Sequence, residues 1–296
     1  MDLFGPFVVK RARTTAKRYC CLFTCNTVRA VHLEVVYNLS SDSFMQAYRR
    51  FAARRGPAVV LRSDRGTNFV GAEREMNNAI AEWNEADLKQ KFQQVGVQWK
   101  FNVSGASHHG GVHERMIRSA RSCLRHVVEL QVLDDEALLT LVTEVEGILN
   151  GRPLQPFSND PNSLKALSPN DLLIPKPMTG LPLGVVPDEG LLKRKWRQVQ
   201  QLANVFWKRF ASEYLQTLSM RSKWHTQRRD IRIGDLVIMV EPNQPRSQWP
   251  LARVTQVRRS EDGRVRSCTL KTAKSEYERP ITKVVLLEGV DLNKDM

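Results

Sequence analysis

The first third of the chain reads as strands followed by helices. Runs of apolar, β-branched and aromatic residues at 19–25 and 30–36, separated by Asn26 and Thr27, predict neighbouring antiparallel strands. Ser40 and Ser41 offer an N-cap, after which Phe44, Ala47, Tyr48 and Phe51 recur at helical spacing, so a helix is expected to pack over those strands until Gly56 and Pro57 end it. Residues 58–61 are wholly apolar, the pattern of a strand buried on both faces, and the run ends at Ser63 and Asp64. Helical stretches through 72–94, a strand at 97–101 and two long helices follow. The second of these starts near Asp134 and places Leu138, Leu141, Val142, Val145 and Leu149 on one face.

Past Arg152 and Pro153 the periodicity stops, and eight prolines between 153 and 187 mark 156–190 as a linker and a domain boundary. A new helical period then runs through Trp196, Val199, Ala203, Phe206, Phe210, Tyr214 and Leu218. From Asp230 onward, short β-type runs at 236–240, 252–257, 265–272 and 284–287, split by turn signals such as Asp262-Gly263, predict a small all-β barrel.

Charge sharpens this division. The chain of 296 residues carries a formal net charge of +14, but 191–229 alone holds ten Lys and Arg against the single acid Glu213. Such an excess on an amphipathic helix either faces a polyanion or forms a solvated face. Apolar runs never exceed five residues, so no segment predicts a membrane span, and the first twenty residues lack the apolar core of a signal peptide; a soluble intracellular protein is expected. Cysteines at 20, 21, 25, 123 and 268 are odd in number and form no spaced CxxC pair, which argues against disulfides and a zinc ribbon and predicts reduced, mostly buried thiols.

Three acids occupy positions that suit chemistry: Asp2, Asp64 and Glu114. Asp64 follows the apolar strand and precedes Arg65-Gly66-Thr67-Asn68-Phe69, which holds it at the strand's C-terminal end, where sites in α/β sheets gather; capping the turn is the alternative use. At about 100° per residue, Glu114, Arg118, Arg121 and Arg125 fall within about 60° of one another, opposite Val112, Met116, Ala120, Cys123, Leu124 and Val127. An (i, i+4) salt bridge accounts for Glu114 with Arg118 but leaves Arg121 and Arg125 without acidic partners on that stripe, and phosphates could supply them. His108, His109 and His113 lack both an HExxH pattern and a nearby cysteine, so no zinc is expected.

The opening Asp2-Leu3-Phe4-Gly5-Pro6-Phe7, the block Arg62-Ser63-Asp64-Arg65-Gly66-Thr67-Asn68-Phe69 and the block His109-Gly110-Gly111-Val112-His113-Glu114-Arg115 resemble the three acidic motifs of retroviral and retrotransposon integrases. The His-Gly-Gly form, with Asn150-Gly151-Arg152-Pro153-Leu154 downstream, looks most like the BEL/Pao branch, and the C-terminal part resembles the module that follows the core in those polyproteins. The resemblance implies an α/β ribonuclease-H-like core over 1–155, a mixed sheet with flanking helices in which the strand bearing Asp2 is central and paired on both sides. It further implies the linker 156–190, a basic amphipathic helical segment over 191–229, and an SH3-like β-barrel over 230–290. Asp2, Asp64 and Glu114 become ligands of two Mg²⁺ or Mn²⁺ ions for DNA strand transfer and 3′-end processing. Arg118, Arg121, Arg125, Lys193, Arg194, Lys195 and Arg197 become contacts to the DNA backbone, in a homo-oligomer that acts in the nucleus or in a cytoplasmic nucleoprotein particle before entry. With only Met1 ahead of it, Asp2 is expected at a fraying strand end, as in a piece of a polyprotein. A DNA-binding protein without catalysis, derived from such a core, and a structure-directed nuclease are the alternatives.

Overall fold

The computed structural model describes residues 1–64, 90, 93, 96–102, 111–174, 195–219, 229–261 and 263–288. The helical stretches expected through 72–94 and the His-rich loop before Gly111 therefore lie outside the described residues, apart from positions 90 and 93. The chain divides into two compact units, the first comprising Met1–His113, Ala120–Gly147 and Gly180–Phe206, the second Glu114–Ser119, Ile148–Thr179 and Trp207–Met296.

In the first unit β1 (Asp2–Arg11), β2 (Thr14–Thr24) and β3 (Val31–Val36) form an antiparallel sheet in chain order. Within β2 Tyr19, Cys21 and Phe23 face one way and Cys20 and Leu22 the other, and all five are buried. The strand is apolar throughout this stretch because water reaches neither face. Helix α1 (Ser41–Arg55) covers the first of those faces, and Phe23 stacks on Phe51 with ring centroids 4.4 Å apart. Its N-cap is Ser40, whose hydroxyl accepts from the Ser43 amide at 3.2 Å. It ends at Gly56, whose φ of +84° suits a residue without Cβ and whose amide closes on the Ala52 carbonyl.

β4 (Val60–Asp64) and β5 (Gln98–Asn102) pair in parallel. Leu61 and Val97 join Leu3, Tyr19, Cys21, Phe23, Phe44 and Tyr48 in a single core cluster, so the two sheets share an interior. The apolar run at 58–61 is not buried on both faces: Val59 is 79% and Val60 40% exposed, and Leu61 alone of those valines and leucines is sealed. Apolar character identified the strand; its neighbours determine which faces are covered. Along its other edge β1 has, among the described residues, an isolated parallel bridge from Val9 to Leu133. Opposite β2, its described backbone contacts are the Met1 nitrogen donating to the Arg62 carbonyl at 2.5 Å and the Lys10 amide donating to the Leu133 carbonyl at 2.8 Å.

Helices α2 (Gly111–Glu129) and α3 (Asp135–Asn150) keep the predicted faces inside: Met116, Cys123, Leu124, Leu138, Leu141, Val142, Val145 and Leu149 are buried. The proline-rich segment opens with the paired strands β6 (Gln155–Pro156) and β7 (Ala166–Leu167) and the short helix α4 (Pro169–Leu173), started by a Ser168/Asp171 capping box. Helix α5 (Lys195–Ser219) buries Val199, Ala203, Phe206, Phe210, Tyr214 and Leu218, but Trp196, expected on that face, is 55% exposed in the first turn.

In the second unit β8 (Leu236–Met239), β9 (Leu251–Arg259), β10 (Val265–Lys271) and β11 (Glu276–Pro280) make an antiparallel meander, and a 3₁₀ turn (Ile281–Lys283) returns β12 (Val284–Leu286) to the far edge of β8. Val237, Ala252, Val254, Cys268 and Leu270 form its core. The Arg253 guanidinium on β9 donates to the carbonyls of Asp160 and Ser163, tying the β6–β7 loop to the sheet. The five cysteines are free thiols and only Cys25 is exposed.

Candidate metal and nucleic-acid site

Asp2 is the first residue of β1, its Cα partner is Leu22 on β2, and the Met1–Arg62 hydrogen bond sets the start of β1 beside β4. It is a paired residue of the strand. Asp64 is the last residue of β4, opposite Asn102 on β5. The backbone thus brings Asp2 and Asp64 onto neighbouring strand ends, one and two residues from that bond; the Asp64 side chain lies outside the described residues. Glu114 stands in the first turn of α2 and is half-buried.

The Asp2 carboxylate already faces a cation. The Arg121 guanidinium donates to Asp2 Oδ2 at 2.5 Å and lies over the Phe4 ring at 5.4 Å, with Arg121 18% and Asp2 42% exposed at the side chain. Arg121 is therefore not without an acid: β1 supplies one that the helical projection of a single segment could not include. Arg118 and Arg125 are exposed along the same helix.

Of the basic segment, Lys193 and Arg194 lie outside the described residues. The Lys195 ammonium is ion-paired with Asp134, whose carboxyl is held below its usual range chiefly by that lysine's hydrogen bond, and the Arg197 guanidinium lies over the Trp196 ring at 5.5 Å. Within α5 itself the cations are Lys195, Arg197, Lys208 and Arg209, and Arg209 pairs with Glu213 at 2.9 Å. Most of the segment's charge thus belongs to residues beyond the helix ends.

Carboxylate oxygens are the donors that hard divalent cations take. Asp2 offers such oxygens at the start of β1, and Glu114, in the other compact unit, offers them in the first turn of α2. Among the described residues no three His, Cys, Asp or Glu side chains converge on one point, a set that does not include the Asp64 carboxylate. One signal went unused in the sequence: from Leu3 to Leu33 there is no acid, while Lys10, Arg11, Arg13, Lys17, Arg18 and Arg29 fall in that stretch.

Residues 194–287, which hold α5 and the five-stranded sheet, match the model of a family of unknown function, DUF5641. No curated protein matches the chain. Among solved structures, the chain is similar to one in the cryo-EM structure of a simian T-cell lymphotropic virus intasome in complex with the PP2A regulatory subunit B56 gamma, at 10% identity and a TM-score of 0.35, over 97% of this chain and 76% of that one. A likeness at that level assigns neither fold nor function. No described helix is long and apolar enough to cross a membrane.

Proposed function

We propose that the chain is an integrase-type polynucleotidyl transferase of BEL/Pao-like kind, with a ribonuclease-H-like core over 1–155, the linker 156–190, the basic segment 191–229 and an SH3-like barrel over 230–290. The observation that carries this reading is the placement of Asp2 and Asp64 on neighbouring strand ends at the Met1–Arg62 bond. Glu114 completes the acidic set. These three would hold two Mg²⁺ or Mn²⁺ ions, whose contribution is to lower the pKa of the attacking hydroxyl and stabilise the leaving oxygen at phosphorus. In the reaction the oxygen of water or of a DNA 3′-hydroxyl would form the new P–O bond as the bond to the departing 3′-oxygen breaks, the nucleophile's proton passing to solvent and the departing oxygen taking a proton from solvent to become a 3′-hydroxyl. Arg118, Arg121, Arg125, Lys193, Arg194, Lys195 and Arg197 orient the duplex through its phosphates, which neutralises charge without reading bases. We place its action in the nucleus, as a homo-oligomer on DNA.

A second reading, a DNA-binding protein without catalysis, draws on the Asp2–Arg121 ion pair, because a carboxylate already neutralised by a guanidinium is less available to a metal. Asp64→Asn and Glu114→Gln separate the two in a Mg²⁺-dependent nicking and strand-transfer assay. Loss of activity in both with DNA binding kept supports the transferase. Undiminished activity in either variant removes the acidic assignment, and an inactive wild type that still binds DNA favours the second reading.

A further inference from the structure

The basic hairpin that joins β1 to β2 extends beyond its sheet. β3 pairs with β2 only from Tyr19 to Thr24, whereas β1 pairs with β2 down to Arg11↔Thr14, so residues 7–18 project as a two-stranded ribbon. The pairing register slips between Phe4 and Phe7, at Gly5-Pro6, where the ribbon leaves the sheet. A bulge of this kind bends the strand and increases its twist. Gly5 is required there: at φ +142°, a Cβ would lie 3.1 Å from the Arg18 carbonyl oxygen and 3.0 Å from the Tyr19 ring.

The ribbon's two faces have different partners. Phe7 and Val9 are buried on the inner face, and there Asp135 takes both nearby arginines: Arg18 Nε at 2.6 Å and Arg11 Nε at 3.5 Å. The outer face carries Val8, Lys10, Thr15 and Lys17, with Val8 opposite Lys17 and Lys10 opposite Thr15. Lys10, Arg13, Thr15 and Lys17 are all exposed, and Val8 is 49% exposed. Lys10, Ala12, Arg13, Thr14, Thr15 and Val132 line a shallow open groove along this tip. Ala12 sits at φ +50°, a region that alanine seldom adopts, in the two-residue turn that presents Arg13.

We propose that the tip of this ribbon is a second phosphate-binding surface, formed by Lys10, Arg13 and Lys17 and occupied by the backbone of duplex DNA. This rests on the nucleic-acid reading above and adds to it a contact remote in sequence from α2 and α5. Charge complementarity selects the occupant: Lys10, Arg13 and Lys17 are exposed, the acids that share a neighbouring groove with Lys10 are Asp134, Asp135 and Glu136, of which Asp134 meets Lys195 and Asp135 meets Arg11 and Arg18, and the Thr15 hydroxyl lies on the same face as Lys10 and Lys17. A two-stranded ribbon is also a shape that fits a duplex groove.

The test is fluorescence anisotropy of the full chain on a mixed-sequence duplex across a salt series. Replacing Lys10, Arg13 and Lys17 together by Ala should lower the slope of log affinity against log salt by about 2 to 3, at about 0.9 for each phosphate no longer neutralised. The charge-keeping set Lys10→Arg, Arg13→Lys and Lys17→Arg should hold the wild-type slope. Arg13→Glu alone, at the turn, should weaken binding about tenfold and serves where the triple variant does not fold. An unchanged slope in the Ala variant, with wild type binding normally, overturns the ribbon and leaves the nucleic-acid reading standing. A wild type that does not bind duplex DNA overturns both. Ribbon-dependent binding to phosphatidylserine vesicles but not to DNA overturns the proposal in favour of a membrane.

Discussion

His32 sits 4% exposed on β3 between two carboxylates, its Nε2 3.0 Å from Glu34 Oε1 and its Nδ1 3.1 Å from Glu146 Oε2. Arg50 and Arg54 close on Glu34 and Arg55 on Glu146, while the Leu33 amide donates to Glu146. Burial by itself would lower the His32 pKa, but the hydrogen bonds to Glu146 and Glu34 outweigh it and raise it above 6.5. Burial would raise both glutamates, and their bonds to His32 and the arginines hold them below 4.5. A raised histidine stabilises the fold below its unfolded pKa and loses that contribution as pH climbs through its folded one; the lowered glutamates stabilise above theirs and lose it as pH falls. Thermal stability should therefore peak between pH 4.5 and 6.5 and fall on both sides, and His32→Gln should flatten the alkaline limb. Melting curves from pH 3 to 9 decide it, since a His32→Gln protein with the same alkaline decline would exclude His32 as the cause. In the second unit Glu288 is sealed with Arg152 at 3.3 Å and accepts from the Tyr214 hydroxyl at 2.9 Å. Its charge, after burial, keeps the Tyr214 pKa high. Glu288→Ala strands the Arg152 charge and should cost about 3 to 5 kcal/mol in urea denaturation, while Arg152→Met with Glu288→Leu should recover most of it. Equal losses in the single and double variants would show that shape, not charge, matters there.

At the scale of elements, α1 has its ends set by local chemistry. Ser40→Ala removes the acceptor for the Ser43 amide and should cost about 1 kcal/mol, whereas Ser41→Ala, one residue inside, should cost little. Helix α2 combines a sealed face with an arginine stripe of which Arg118 and Arg125 are exposed. Replacing Arg118 and Arg121 by Ala should weaken binding to all duplex sequences alike and reduce the salt slope by about 2. A sequence-selective loss would point to base reading instead. Arg121 also holds Asp2, so its removal takes away the counter-charge of a strand residue as well as, under the proposed function, a phosphate contact.

For the whole molecule, the proposed function makes the +14 charge the source of duplex binding. Affinity for DNA should fall steeply with salt and differ little between unrelated duplexes. Under the proposed function a chelator should abolish nicking and strand transfer yet leave duplex binding intact, because the first depends on the carboxylates and the second on arginines and lysines. Gel-shift and cleavage assays on one preparation, with and without EDTA, test this; binding that vanishes with the metal would mean that the carboxylates, not the basic residues, hold the DNA.

What the sequence determined by itself are the features local to one segment. The 3.6-residue period of α1, α2, α3 and α5, the apolar stretch of β2, the caps at Ser40 and Gly56 and the strand runs of β8, β9, β10 and β12 each follow from how one stretch partitions between water and an interior, whereas the mostly exposed β11 was not legible in this way. The β1–β2 ribbon escaped the same test because most of its 10–18 stretch faces solvent, and a strand without an apolar run reads as a loop. Tertiary structure decided which faces are covered and which charges meet. Val59 and Val60 are apolar yet exposed because no described neighbour covers them, and Trp196 keeps the helical period yet lies outside the core at the first turn. Arg121 finds Asp2 across 119 residues of chain, His32 finds Glu146 across 114 and Arg152 finds Glu288 across 136. Such pairs depend on loop closure and strand register, which packing of the whole unit selects and which no periodicity within one segment encodes.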